Sequence, residues 1–310
     1  MSSVTYPAAA ILLRVRDYDL AATLDSGQAF RWQHRTGSWT GVIDQHPVRL
    51  TQTRDGIRAE AHGPVGDWRW LRDYLQTDVD LDAVLGTFPD DAPMRDAVAA
   101  CRGLRLLRQE PWECLASFIL SSTKQIVQIR QIVASLCERF GEPLNPCSVE
   151  PVARRHSGTL SHRMQVGWGE GSAFFSFPTP QRLAAATEAD LRACKMGFRA
   201  PHLLEAARRI AEGQFNLQRI RQLSQAEAHA ELTTLRGVGG KIADCVLLFA
   251  YGFDGAFPVD VWVERALREL YFPRRRVSDR RLRQFAATHF GPHAGYAQQY
   301  LFHYRRLKMK

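Results

Sequence analysis

Lysine is scarce in this 310-residue chain: of 41 basic residues only Lys124, Lys195, Lys241, Lys308 and Lys310 are lysines, and the rest are arginine. Coding composition alone produces such a bias, but it makes each lysine a less casual choice. Cysteine motifs are missing too. Cys101, Cys114, Cys137, Cys147, Cys194 and Cys245 form no CxxC pair and no metal-ligand spacing, so no side-chain metal site is expected. Free thiols in a reducing compartment are the simplest account. Long apolar runs are absent: Ala8 to Leu13 is far too short to span a bilayer, and no basic segment precedes it. The expectation is a soluble, intracellular protein without a membrane partner. Acidic residues are in the minority, 32 against 41, which leaves a net charge of +9. That balance suits a polyanionic partner, although many basic proteins have none.

At 45% apolar and 24% charged the composition is that of an ordinary globular protein, long enough for two or three compact units. Residues 1 to about 63 read as β structure. Ala29–Gln33, Trp39–Ile43, Val48–Thr53 and Ile57–Ala61 are short strand-like runs, parted by turn signals at Thr36-Gly37, around His46-Pro47, and at Asp55-Gly56. Helical spacing follows through Trp68, Leu71 and Leu75, then between Pro93 and Cys101, from Pro111 to about Ser121, and over Ile126–Phe140. Gly141 to about Pro180 is rich in Gly, Pro and Ser with little periodicity, and reads as a surface excursion. Helices resume at Thr187-x-x-Asp190, at Pro201 to about Gly213, over Val259–Tyr271 and from about Gly295 to Tyr304; an arginine run at 274–283 reads as a solvated loop or a contact for a phosphate backbone. The fold class is α+β: an N-terminal antiparallel β-sheet domain over 1–108 and a mostly α-helical body over 109–310.

Two helical patterns meet across the glycine-rich stretch from Leu235 to Cys245. Ser224-Gln225-Ala226-Glu227 is a capping box that opens the first. Gly237 and Gly239, on either side of Val238, free the backbone to reverse, and the second helix begins at about Lys241 and stops at Gly252. The unit spans about 225–251. A glycine hairpin at a helix start seats an anion, because unpaired N–H groups and the helix dipole point the same way. Lys241 stands in that first turn, with Cys245 one turn later on the same face. The dipole disfavours an ammonium there, and a free amine is what attack on carbon requires. The alternative is a lysine that merely touches a phosphate.

After this unit comes Phe257-Pro258-Val259-Asp260-Val261-Trp262. By itself Asp260 reads as a helix N-cap. Paired with Lys241 it gains a second reading: a neutral lysine attacks an electrophilic carbon, and a nearby carboxylate stabilises the positive charge that develops. In DNA the matching electrophile is the sugar carbon that carries a base.

Leu235-x-Gly-Val-Gly-x-Lys241 followed by Val259-Asp260 resembles the helix-hairpin-helix, Gly/Pro-Asp superfamily of DNA glycosylases, and within it the 8-oxoguanine DNA glycosylases with lyase activity. Ser26-Gly27-Gln28-Ala29-Phe30-Arg31-Trp32, Leu106 to Pro111, and Gly291 through Phe302 carry the resemblance over nearly the whole chain; about 146–171 stands out as an inserted loop. The resemblance implies a bifunctional enzyme with Lys241 as Schiff-base nucleophile and Asp260 as its carboxylate. It implies that Gly27 offers its carbonyl to the N7–H found only on the oxidised base. Cys245 and Phe302 would sandwich the flipped base while Gln298 reads its Watson–Crick edge. Gly237, Val238, Gly239, Thr123, Lys124, Phe198, Arg199 and Trp262 would touch DNA. The implied partner is double-stranded DNA containing oxidised guanine, bound by a monomer in the cytoplasm or nucleoid of a prokaryote or the nucleus of a eukaryote. No cofactor is required, though backbone carbonyls of the hairpin suit a monovalent or divalent cation.

Departures from the family pattern matter. Ser121-Ser122-Thr123 replaces paired serines followed by asparagine, Gln128 stands where an arginine often faces the orphaned cytosine, and Trp262 replaces a histidine. They imply retained recognition of the oxidised base and a relaxed requirement for cytosine opposite. An iron–sulphur glycosylase is disfavoured, since no cysteine follows Cys245. A non-catalytic helix-hairpin-helix DNA-binding protein would not need Lys241, Asp260 and Gly27 together, and a glycosylase for a different damaged base is the remaining rival.

Overall fold

The computed structural model describes residues 9–61, 65–122, 124–144, 174–273 and 275–308. Thr123, Cys147 and the expected insertion at 146–171 lie outside them. The N-terminal part is one antiparallel sheet of β1 (Ala9–Leu13), β2 (Gln33–Arg35), β3 (Ser38–Ile43), β4 (His46–Thr53) and β5 (Gly56–Ala61). The strands run in the order β1-β5-β4-β3-β2, so β2 to β5 form the expected meander and β1 closes the far edge on β5. Register pairs Trp39 with Leu50 and Leu13 with Ile57, which puts apolar side chains on one buried face.

Fourteen helices follow or interrupt the sheet among the described residues. They are α1 (Leu20–Asp25), α2 (Arg69–Leu75), α3 (Leu81–Leu85), α4 (Ala92–Cys101), α5 (Pro111–Ser121), α6 (Ile126–Phe140), α7 (Pro180–Ala184), α8 (Glu188–Arg192), α9 (Ala200–Ala211), α10 (Gln225–Thr233), α11 (Gly240–Val246), α12 (Val261–Tyr271), α13 (Asp279–His289) and α14 (Ala294–Leu307). Most begin on a side chain that satisfies the first free N–H groups: Asp91 for α4, Glu110 for α5, Thr187 for α8 and Ser224 for α10.

Two apolar cores result. One lies under the sheet and takes in Leu71, Tyr74 and Leu75 of α2 with Leu107. The other gathers the helices and reaches back into the first hundred residues through Ala22, Phe30, Leu81, Val84, Met94 and Ala97. Ala29–Trp32 explains one departure from the sequence expectation. It is not a strand: Ala29 and Trp32 enter the sheet core while Phe30 enters the helical core, so the strand-like pattern belongs to a loop wedged between them.

The second turn lies just ahead of its signal. His46-Pro47 belongs to β4, and the reversal lies at Asp44, whose φ of 52° is left-handed. The arginine run is not all loop: Arg280, Arg281 and Arg283 fall on α13, and Arg274 lies outside the described residues. At the excursion after α6, Leu144 N–H donates to the Phe174 carbonyl at 2.8 Å and Ser176 N–H to the Glu142 carbonyl at 2.9 Å, so its two described ends meet.

Candidate active site

The hairpin holds its lysine through contacts from elsewhere in the chain. At Gly237 φ is +82°, and a Cβ would lie 2.2 Å from His202 Nδ1, so no side chain fits. Val238 is buried and pins the turn to the helical core. Gly239 caps α11 without a side-chain acceptor. Lys241, half-buried, donates from Nζ to Ser121 Oγ at 3.2 Å and lies 5.1 Å from the centre of the Phe118 ring. Ser121 Oγ in turn donates to the Phe118 carbonyl at 2.7 Å, which leaves its lone pairs for the amine.

Cys245 is buried one turn further along α11. Burial pushes its thiol up to about 12; the Lys241 ammonium acts against that shift and the Asp260 carboxylate adds to it. Lys241 and Asp260 stand at the starts of α11 and α12 respectively. A thiol held protonated is an apolar wall rather than a nucleophile. Asp260 caps α12, its Oδ1 accepting from the N–H groups of Trp262 at 2.9 Å and Val263 at 2.8 Å. Both readings of this aspartate thus fit one geometry: one oxygen serves the helix, and the other is not used in the cap.

The other expected base contacts come from the two ends of the chain. Gly27, with φ of +84°, packs so closely that a Cβ would meet Ile126 Cδ1 at 2.7 Å and Phe302 Cε1 at 3.6 Å. Among the described residues no hydrogen-bond donor reaches its carbonyl. Gln28 sets the loop: its Nε2 donates to the Thr23 and Arg105 carbonyls at 3.0 and 2.8 Å, and its Oε1 accepts from Leu107 N–H at 2.7 Å. Gln298 on α14 is buried, and its Oε1 has no hydrogen-bond partner among the described residues. One turn on, Phe302 is half-buried. A buried carbonyl oxygen without a donor costs stability unless something else supplies one.

The other predicted contacts divide. Phe198 is 57% exposed, as a wedge would be, but Arg199 is buried beneath it with the guanidinium 4.3 Å from the ring centre. Its Nη1 donates to the Met196 carbonyl at 3.3 Å, and burial lowers its pKa. Gln128 is occupied in a capping box, its Oε1 accepting from Gln125 N–H at 3.1 Å. Lys124 stands half-buried just before α6. Trp262 is 39% exposed, with Arg265 5.4 Å from its ring. No group of three or more His, Cys, Asp or Glu among the described residues could hold a metal ion, and no helix among them is long and apolar enough to cross a membrane.

Sequence reasoning missed Ser121, Phe118 and Ile126 as parts of this site. Phe118 was legible only as part of a core helix, Ser121 only as one of the paired serines at its end, and Ile126 as part of an apolar stripe. It also missed Arg31, which pairs with Glu113 at 3.2 Å and donates to the Phe175 carbonyl, joining the Gly27 loop to α5 and to the end of the excursion. Burial pushes the Glu113 carboxyl up to about 6, and Arg31 acts against that shift.

This arrangement has counterparts. Residues 10–115 match the 8-oxoguanine DNA glycosylase N-terminal domain, and residues 116–291 match the HhH-GPD superfamily base excision DNA repair protein. The N-glycosylase/DNA lyase of Saccharomyces cerevisiae is 32% identical, covering 86% of this chain and 72% of the yeast protein. A probable N-glycosylase/DNA lyase of Methanothermobacter thermautotrophicus is 28% identical over 94% of this chain and 95% of its own. The fold superposes with a TM-score of 0.84 on the Clostridium acetobutylicum 8-oxoguanine glycosylase/lyase in complex with double-stranded DNA containing cytosine opposite 8-oxoG, at 29% identity over 98% of this chain and 97% of that one. The chain belongs to the HhH-GPD superfamily of base excision DNA repair proteins, and within it to the 8-oxoguanine DNA glycosylases.

Proposed function

We propose that this protein excises 8-oxoguanine from duplex DNA and then cleaves the strand at the resulting abasic site. The Lys241 amine attacks the sugar C1′. A C–N bond forms, the glycosidic C1′–N9 bond breaks, and the base leaves with the electron pair and takes up a proton. Asp260 stabilises the oxocarbenium charge that develops and moves protons as the ring opens to the Schiff base. Loss of a C2′ proton then expels the 3′ phosphate, and this β-elimination breaks the strand.

The observation that carries this reading is the setting of the two groups: Lys241 stands half-buried in the first turn of α11 with its amine on Ser121, one turn before Cys245, while Asp260 caps α12 through a single carboxylate oxygen. In the same reading the flipped base lies between Cys245 and Phe302. Gly27 accepts from its N7–H, and the Gln298 amide, whose Oε1 has no partner among the described residues, reads its far edge. Guanine presents a lone pair where Gly27 needs a donor, and that repulsion is the basis of selectivity.

Gly237, Val238, Gly239 and Lys124 guide the backbone, Trp262 packs on it, and Phe198 fills the gap in the stack. With Gln128 tied into its cap and Arg199 turned under Phe198, discrimination for cytosine opposite is weak. The enzyme acts as a monomer inside the cell and needs no cofactor. Residues 235–240 offer a cation backbone carbonyls and no acidic side chain, a donor set for a weakly held monovalent or divalent ion.

Borohydride trapping on duplexes with 8-oxoguanine opposite each of the four bases tests the reading. A covalent adduct is expected in all four, with rates that differ modestly. Excision of undamaged guanine at a similar rate defeats it.

A further inference from the structure

Three consecutive carbonyls end the short helix α1 and enter the glycine turn: those of Asp25, Ser26 and Gly27. A helix end leaves its last carbonyls without partners, so something must serve them. The first accepts from Arg306 Nη1 at 2.7 Å and the second from Gln299 Nε2 at 3.1 Å. Both donors stand on α14, the helix that also carries Gln298 and Phe302. Arg306 lies one turn beyond Phe302, with its guanidinium 5.8 Å from the ring centre. From the other side, Arg130 of α6 pairs with Asp25 Oδ1 at 3.0 Å, and Ile126 of the same helix closes on Gly27. The third carbonyl is the one that no described residue serves.

We infer that Gln299 and Arg306 are the positioning residues that set base selectivity, because they tie the Gly27 carbonyl to the helix that carries Gln298 and Phe302. The inference rests on the substrate reading above and says which groups make it selective. Glycine at φ +84° does not hold a carbonyl in place by itself. The selecting contact is one hydrogen bond whose strength falls steeply with distance and angle. A misplacement of about 1 Å at such a contact costs on the order of 100-fold. Holding the two preceding carbonyls from α14 makes the distance from Gly27 to Phe302 and Gln298 a property of one rigid helix. Released, the turn relaxes and accommodates guanine more nearly as well as the oxidised base.

The test uses the full chain as Gln299→Met and Arg306→Met, each of similar size but without the donor, and Arg306→Lys, which restores one. Single-turnover excision is measured on duplexes carrying 8-oxoguanine or guanine and divided by strand cleavage at a preformed abasic site in the same preparation, which corrects for loss of folded enzyme. The normalised preference for 8-oxoguanine is expected to fall about tenfold in each methionine variant and to recover at least half of that loss, on a logarithmic scale, in Arg306→Lys. A preference within twofold of wild type in both methionine variants overturns the inference, as does an Arg306→Lys variant no better than Arg306→Met. Wild-type enzyme that cleaves the abasic duplex but releases neither base defeats the substrate reading instead, and takes this inference with it.

Discussion

Lys241 and Ser121 meet at 3.2 Å although 120 positions separate them in the chain. The serine is already committed as a donor to the carbonyl of Phe118, so it can only accept from the amine. That arrangement aims the lysine through a neutral hydroxyl acceptor, and it separates two variants. Lys241→Gln removes the nucleophile, and no borohydride adduct should form. Ser121→Ala leaves the amine in place but unaimed, so trapping persists while single-turnover excision slows about fivefold, the worth of one ordinary hydrogen bond. An adduct that survives in Lys241→Gln sinks the nucleophile assignment.

The two readings of Asp260, helix cap and charge-stabilising carboxylate, are pulled apart by a pair of substitutions. Asparagine is as good an N-cap as aspartate, so Asp260→Asn should keep the thermal midpoint near wild type while excision falls at least about 100-fold. Alanine loses the cap as well, which costs about 1 kcal/mol and lowers Tm by about 2–4 °C. Unchanged excision in Asp260→Asn would show that the carboxylate is only a cap.

Gln298 keeps a buried carbonyl oxygen with no partner among the described residues. Replacing it with leucine removes that unpaired group, and Gln298→Leu should be more stable than wild type by about 1 kcal/mol, or about 2–4 °C in Tm. Excision of 8-oxoguanine should fall in the same protein. Melting curves and single-turnover rates decide the matter, and a less stable variant would mean that the oxygen has a partner.

Asp244 lies on α11 between Lys241 and Cys245, and burial pushes its carboxyl up to about 7. His229 Nε2 is 3.7 Å from its Oδ1. With the folded pKa above the unfolded one, the native state binds this proton more tightly than the unfolded chain. The stability it contributes is full below about pH 4 and is lost as pH rises toward 7. Asp244→Asn stays neutral throughout, so its Tm should change less than that of wild type between pH 4 and 7. Parallel Tm profiles for the two proteins would rule this out.

Much of the scaffold is written in local patterns. The capping boxes at Ser224 and Thr187, the proline start at Pro111 and the apolar stripe from Ile126 to Phe140 each depend on residues three or four apart, and each appears as expected. The hairpin lysine and the N-cap aspartate are legible for the same reason. The short elements were not: α1, α3 and α7 have five or six residues, too few to show a period, and β1 hides in a six-residue apolar run.

The sequence by itself determined which residues are candidates for the chemistry, because a lysine at a glycine hairpin and an aspartate before a helix are each defined within one turn of chain. What only the tertiary structure decided is the company those residues keep. Ser121 reaches Lys241, Gln299 reaches Ser26 across 273 positions, and Arg199 folds under Phe198 instead of standing clear. A hydrogen bond between distant residues leaves no spacing in the chain to read, because it forms only once two cores have set the distance between their surfaces.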